Sequence, residues 1–348
     1  MQKQQIKQSL QIGFTYIGTV VGAGFASGQE ILQFFTVYGE WSYLGILISV
    51  LLFAWVGGKM LLLGAKLKAN SYRELNAYLF GERLALWIDL FMLVMLFGVT
   101  VAMLAGVGAL FDENFQLPFE LGVLVTMAAT YFTIMRGMQG ILAANTIIVP
   151  VMMTLVCFIF LKTAWTTGMR TSTVIPQPSG SWLTSAISYA AFNLGLASSV
   201  LVPLGNEIKD RKTLVLGGCV GSVGLGIMLL GANFALTTHF PTVLNYQVPM
   251  AFLISTSGAL LQTIFVLVLW GEIFSTLIAN VYGLGSQLIA PYPAEKGPLL
   301  IVLILTSAFF VSQIGFTKIV TYLYPIFGYL SFLLMTLLLW PHNVQKRS

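Results

Sequence analysis

The segment Gly18-Thr19-Val20-Val21-Gly22-Ala23-Gly24-Phe25-Ala26-Ser27-Gly28-Gln29-Glu30 decides how this chain is read. It lies inside an apolar stretch, near 10–37, that is long enough to cross a bilayer, yet it gathers glycines and polar groups at mid-depth. Each glycine costs about 1 kcal/mol in a helix interior, so a plain anchor has no use for the run. Two readings fit. An unwound stretch would free backbone carbonyls for a cation and leave helix-end amides for an anion. A tight helix–helix crossing would use Gly18 with Gly22 and Gly24 with Gly28 as small-xxx-small pairs.

The surrounding composition identifies lipid as the solvent. Hydrophobic residues make up 57% of the 348 and charged residues 8%, against about 25% charged in soluble domains. Candidate spans fall near 10–37, 42–66, 84–110, 118–135, 138–162, 182–205, 213–238, 258–288, 298–316 and 319–340. Connections are short, so the expectation is an all-α integral membrane protein of about ten helices, one transmembrane domain over 1–348. Met1–Leu10 is polar and no small-residue cleavage site follows, so the first segment reads as a retained span. The net charge of +5 is scattered through loops without a basic patch or arm, so no nucleic-acid partner is expected; lipid is. Cys157 and Cys219 sit in apolar runs without metal-ligand spacing and read as small buried hydrophobes. Oligomeric state is not legible.

Basic residues set the orientation. With the N-terminus inside, the inner segments hold Lys3, Lys7, Lys66, Lys68, Arg73, Arg83, Arg136, Lys209, Arg211, Lys212, Lys296, Lys346 and Arg347, while Lys162, Arg170 and Lys318 fall outside with Asp112 and Glu113. Both termini are therefore expected in the cytoplasm.

A second interruption strengthens the first. The sixth span carries Phe192-Asn193-Leu194-Gly195, then Ser198-Ser199, Pro203 and the polar exit Gly205-Asn206-Glu207. Spans one and six are offset by five, an odd number, so a five-plus-five repeat, approximately 10–163 and 182–340, would be inverted across the membrane. Interrupted segments at matching places in inverted halves point to a transporter's central site. The eighth span adds Glu272, Ser275, Thr276 and Asn280 on one helical face. A carboxylate at mid-span costs several kcal/mol unless paired, protonated or hydrated, which favours a functional Glu272.

Other polar groups leave their alternatives open. Glu30, just past the first interruption, would meet a substrate amine, a cation or a proton, or would simply lie at the outer interface. Lys59 would pair with a buried acid or snorkel to the inner face. Asn145-Thr146 would line an inner pathway or bond neighbouring helices, and Asp89 would pair locally with a base. Pro241 and Pro249 in the stretch His239–Ser257 suggest a partly ordered lid.

Through the run Gly18–Glu30 the chain resembles the amino acid–polyamine–organocation superfamily, with its leucine-transporter-type fold, and within it the bacterial YkvI-type membrane proteins. The resemblance implies that helices one and six are discontinuous and hold the substrate, with helices three and eight completing the pocket. It assigns a substrate carboxylate to the amides of Gly22, Ala23, Gly24 and Phe25, with Ser27 and Glu30 beside them. It assigns the sixth-helix contacts to Phe192, Asn193 and Gly195, and Glu272 joins the substrate set. Ser275 and Thr276 resemble, in kind, a helix-eight sodium site facing carbonyls of the first interruption, here Gly22 and Phe25. Phe25 occupies the place where sodium-coupled relatives often carry an asparagine, and span five has no interior lysine of the proton-coupled kind. That leaves one sodium or a protonatable acid, Glu30 or Glu272, as the coupling element, and no other cofactor.

The expected function is cation-coupled secondary transport of a small amino acid or related amine, by alternating access, in the bacterial cytoplasmic membrane. A bundle of helices one, two, six and seven would rock against three, four, eight and nine. A sensor or receptor subunit keeping the transporter fold without flux is the rival. An enzyme is not expected, because no convergent nucleophile set is present, and no phosphate-binding loop appears.

Overall fold

The glycine run divides the first apolar segment into pieces. In a computed structural model, which describes residues 2–168, 181–246, 248–255, 257–288 and 293–314, α1 spans Gln2–Val20, α2 Ala23–Ser27 and α3 Gln29–Phe34. Val21 and Gly22 are non-helical, with Gly22 extended at φ −120° and ψ −166°. Gly28 separates α2 from α3 in the left-handed region at φ 88°, where a residue without Cβ pays no steric penalty.

The second span consists of α4 (Trp41–Leu52) and α5 (Gly58–Leu67), joined by a π turn at Phe53–Gly57. That turn has a visible cause. The Tyr16 hydroxyl of α1 donates to the Phe53 carbonyl at 2.8 Å, and a Cβ at Gly57 would overlap the same tyrosine. A donor from outside inserted into the ladder is a recognised origin of helix bulges.

Next comes α6 (Tyr72–Phe115), broken at Gly81 (φ 74°, ψ 162°), so that a short surface piece precedes the spanning part. Ser71 starts it, its amide donating to Glu74 Oε2 at 3.1 Å, and the Ser71 hydroxyl meets the same oxygen. The remaining described helices are α7 (Phe119–Ile134), α8 (Met138–Thr167), α9 (Ser181–Glu207), α10 (Arg211–Thr238), α11 (Pro249–Ser255), α12 (Ala259–Leu288) and α13 (Gly297–Ser312). No strand occurs among the described residues. Among the described residues, six helical stretches are long and apolar enough to cross a membrane, and α7 and α13 are shorter apolar helices. The expected tenth span, 319–340, lies outside the described residues.

Burial separates central helices from peripheral ones. The most apolar window of α9 is 83% buried and those of α6 and α12 72%, against 33% in α8. The peripheral helices turn Leu47, Leu51, Trp55, Ile147 and Leu161 outward, an apolar exterior too extensive for water. Helix α1 packs on α10, α5 on α9, α6 on α12, α7 on α12 and α13 on α6. The α5–α9 pair closes to backbone contact: a Cβ at Gly64 would overlap the Val202 carbonyl, and one at Gly205 the Leu61 carbonyl.

Two expectations fail. The sixth span is not interrupted, since α9 runs as one helix through Phe192, Asn193 and Gly195 and carries Pro203 inside it. Its polar groups are satisfied on the helix itself. Asn193 Nδ2 donates to Tyr189 O at 3.0 Å, Ser198 to Gly195 O at 2.6 Å and Ser199 to Leu196 O at 2.6 Å, so none of them requires an unwound backbone. Cys157 and Cys219 are free and exposed, not buried; a small polarizable side chain is as compatible with an apolar exterior as with a core.

Candidate functional site

Each central glycine of the opening run is vacated for a polar atom. A Cβ at Gly18 would overlap Asn145 Oδ1 and crowd Ser275 Oγ. One at Gly22 would stand 3.0 Å from Thr276 Oγ1, and one at Gly24 would overlap Glu30 Oε1. The tight helix crossing does exist, but one turn or more earlier, where a Cβ at Gly13 would meet Val220 and α10 glycines face Ile12, Tyr16 and Ile17. Gly18, Gly22 and Gly24 instead open the backbone to side-chain oxygens.

Around the gap at Val21–Gly22, oxygens converge from three helices. Ser275 Oγ lies 2.9 Å from Gly18 O and 2.6 Å from Asn145 Oδ1. Thr276 Oγ1 donates to Val21 O at 3.1 Å. Asn145 uses its own Nδ2 on Ile141 O, at 3.0 Å, which leaves Oδ1 aimed at Ser275. The serine therefore has one proton for two acceptors, and five oxygens from α1, α8 and α12 meet with two hydroxyl protons among them. Such an oxygen-only set is suited to a hard cation. The carbonyls involved are those of Gly18 and Val21, not Gly22 and Phe25. Gly22 O accepts Ala26 N–H at 2.9 Å and Phe25 O accepts Gly28 N–H at 2.9 Å, so both serve the short helix α2. Asn145 enters the cluster although its sequence context left it open; its signal was an amide within an apolar span opposite the glycine run.

The polar face of α12 is buried throughout: Glu272 is 0% exposed, Ser275 0%, Thr276 5% and Asn280 2%. Both Glu272 carboxylate oxygens lack a hydrogen-bond partner among the described residues, as does Asn280 Nδ2. Glu272 precedes Ser275 by one turn on α12, a helix that packs on α2.

On the other flank of α2 stands Glu30. It is buried, not interfacial, and its Oε2 has no partner among the described residues. The Tyr189 hydroxyl of α9 is also buried and has no partner among the described residues, and its ring lies 5.5 Å from that of Phe34, one turn after Glu30 on α3. Ala23 and Phe25 are buried, and Ser27 turns its hydroxyl to Gly24 O at 3.0 Å. The structure thus gathers Gly22, Ala23, Gly24, Phe25, Ser27 and Glu30 at α2, with Ser275 and Thr276 meeting the gap before it and Glu272 one turn earlier on α12. Phe192, Asn193 and Gly195 lie on an intact helix. Tyr189 was missed, because a lone tyrosine one turn before Asn193 carries no distinguishing pattern.

Beyond Glu30 the path is covered. Gln29 Nε2 donates to Tyr246 O at 3.0 Å, Met250 of α11 packs on Gly28, and Lys162 reaches Ser257 Oγ at 2.5 Å and Leu253 O at 3.4 Å. Among the described residues Lys59 pairs with no buried acid; its Nζ lies 4.3 Å from the Trp55 ring centroid. Asp89 accepts from Asn76 at 2.7 Å and stands 3.7 Å from Arg73 Nε. At the α9–α10 turn Asp210 takes the Thr213 hydroxyl at 2.6 Å, the Lys212 and Thr213 amides, and Gln5 of α1 at 2.8 Å. These donors, the Thr213 hydroxyl foremost, hold its carboxyl below the usual range.

No family model matches the chain. Among solved structures, a Na+-coupled sialic acid symporter in a substrate-bound outward-open state superposes with a TM-score of 0.67 at 12% identity, over 93% of this chain and 75% of that one. MhsT in complex with L-phenylalanine superposes at 0.65 and 14% identity, over 94% and 88%. At such identities the likeness shows the fold, that of leucine-transporter-type membrane transporters. Among sequences, the chain is similar to the membrane protein YkvI of Bacillus subtilis (strain 168), 36% identical over 339 residues and 97% of each chain. Match in sequence over nearly the full length, joined to that fold, places the chain in the YkvI-type family of membrane proteins.

Proposed function

We propose that the protein is a cation-coupled secondary transporter of a small amino acid or related amine. The oxygen cluster at the Val21–Gly22 gap carries this reading. Gly18 O, Val21 O, Ser275 Oγ, Thr276 Oγ1 and Asn145 Oδ1 would hold a sodium ion whose binding energy ties α1 to α12. The symporter similar in fold is Na+-coupled, which supports the choice of ion. Glu272, unpartnered one turn away, is the group on which a coupling proton would ride instead.

The substrate would lie against α2. Its first backbone bond runs from Ala26 N–H to Gly22 O, so the preceding amides of Ala23, Gly24 and Phe25 have no partner within the helix and are those the resemblance gives to a carboxylate. The first interruption alone would serve, with α9 contributing side chains rather than an opened backbone. The pairings of α1 with α10 and of α9 with α5, and of α7 with α12 and α13 with α6, exchange under a shift of five spans, which supports a five-plus-five inverted repeat. The basic-residue bias supports both termini in the cytoplasm and residence in the bacterial cytoplasmic membrane.

Uptake into proteoliposomes, with sodium and pH gradients imposed separately, tests the proposal. Accumulation driven by one of them is expected. Ligand binding without flux under either gradient would favour a sensor that keeps the fold.

A further inference from the structure

We infer that the molecule carried is an organic cation or an amino acid with a basic side chain, and that Glu30 and Tyr189 receive its ammonium group. This deepens the transport reading and rests on it for the word carried, though not for the binding site.

Glu30 Oε2 and Tyr189 Oη are both buried and lack hydrogen-bond partners among the described residues. An acceptor-only carboxylate oxygen left dry is costly, and its remedy is a donor. Among the described residues no donor reaches Glu30 Oε2, and no Lys, Arg or His side chain is buried there to bring it a cation. Gly24 clears the space in which Glu30 Oε1 rests, so the position of the carboxylate is built rather than incidental.

The surroundings favour an organic ammonium over a bare metal ion. The Tyr189 ring is enclosed by Phe35 at 4.9 Å, Phe34 at 5.5 Å and Phe53 at 6.1 Å between centroids. Phe34 is itself held by Ser185 Oγ donating to its carbonyl at 2.9 Å. Aromatic faces beside Tyr189 suit an alkylammonium, whose N–H groups would meet the Glu30 and Tyr189 oxygens while its methylenes and charge meet the rings. A metal ion would need more oxygens than these two groups offer. The location fits as well: Glu30 follows directly on Gly28 and Gln29, the residues covered by Met250 and Tyr246. An amine seated there would lie immediately beneath the lid and beside the cation cluster.

The test uses the purified full-length protein, by thermal shift and titration calorimetry, with putrescine, lysine, leucine, glutamate and sodium chloride alone as probes. Putrescine or lysine is expected to bind. Glu30→Gln should weaken that binding by about 10- to 100-fold, the worth of a charge-assisted hydrogen bond. Tyr189→Phe, which removes only the hydroxyl, should weaken it less, and it covers the case in which Glu30→Gln fails to fold. Binding of leucine or glutamate but not of the cations overturns the inference, as does cation binding that is the same in both variants. Protection by sodium chloride alone that Glu30→Gln abolishes would assign the site to the metal and overturn it too, as would no binding by any probe. Sodium-driven uptake of leucine without uptake of lysine would sink the inference and leave the transport reading standing. Binding of lysine lost in Glu30→Gln, with no flux of any probe, would do the reverse.

Discussion

At the scale of single residues, Ser275 and Thr276 matter because their hydroxyls are bound to the backbone of another span rather than to the preceding turn of their own. Hydroxyls in membrane helices commonly bond to their own helix, as Thr126 does to Gly122 O at 2.8 Å and Ser222 to Gly218 O at 2.6 Å. Thr276→Val keeps the shape and removes one oxygen of the cluster, and we expect the sodium concentration for half-maximal uptake to rise by about 10- to 100-fold. Ser275→Ala should act in the same direction. Uptake measured against sodium at saturating substrate checks this, and an unchanged sodium dependence in both variants would remove the ion from this site. Gly24 makes the second case. Its missing Cβ is replaced by the Glu30 side chain, from Cγ to Oε1, and a side chain can change rotamer where backbone could not yield. Gly24→Ala should therefore lower substrate affinity, while its thermal shift stays below that of the about 1–3 kcal/mol typical of a rigid overpacked core. A large loss of stability with intact affinity would show that the carboxylate does not need its present place. The glycine run was legible as an interruption at this scale, but its register was not. One sequence cannot tell which carbonyls a five-residue helix consumes, and α2 consumes those of Gly22 and Phe25.

At the scale of elements, the two interruptions read from the sequence looked alike and folded differently. In the first segment, Gly18 and Gly22 face polar atoms of α8 and α12 and Gly24 faces the Glu30 carboxylate, so side chains are excluded at all three positions. In α9, Asn193, Ser198 and Ser199 all find carbonyls three or four residues back, and the helix persists. The difference lies in partners outside the segment, which is why it was hidden from composition and spacing. The polar stripe of α12 was legible because periodicity alone puts Glu272, Ser275, Thr276 and Asn280 on one buried face. Starts of helices are more local still. Asp210 caps α10 through Thr213 and Lys212 and also takes Gln5 of α1, and its carboxyl is held below the usual range. A depressed carboxyl adds stability above its unfolded pKa of about 3.9 and loses it as pH falls through the lower folded value. Asp210→Asn should thus lower the thermal midpoint at pH 7, and the gap between variant and wild type should close toward pH 3. A gap that stays constant on acidification would mean that the charge contributes nothing.

At the scale of the whole molecule, the hydrogen bonds sort the helices into two sets. Within α1–α5, α9 and α10, Tyr16 bonds Phe53 O, Thr36 bonds Asn233, Asn233 bonds Ser42, and Ser49 bonds Ala186 O. Within α6, α7, α12 and α13, Tyr72 bonds Gln287 and Trp270 bonds Thr126. Among the described residues, the side-chain hydrogen bonds between the sets are Ser275 to Gly18 O and Thr276 to Val21 O, both at the oxygen cluster. If the proposed ion binds there, a joint whose polar ties are concentrated at that one cluster is one the ion would tighten or release, with each set, bonded internally, moving as a body. That division gives a prediction about rigidity. A Cβ at Gly45 of α4 would stand 3.4 Å from the Ala186 Cβ of α9, near the roughly 3.5–4.5 Å separation of disulfide-linked residues. In a chain already carrying Cys157→Ala and Cys219→Ala, the pair Gly45→Cys and Ala186→Cys should oxidise to a cross-link inside the first set. Because α4 and α9 would travel together, the oxidised protein should retain uptake within about two-fold of the reduced one. Uptake that collapses on oxidation and returns with a reductant would mean that α4 and α9 slide past each other during transport, and the two-body motion would have to be redrawn with its boundary between them.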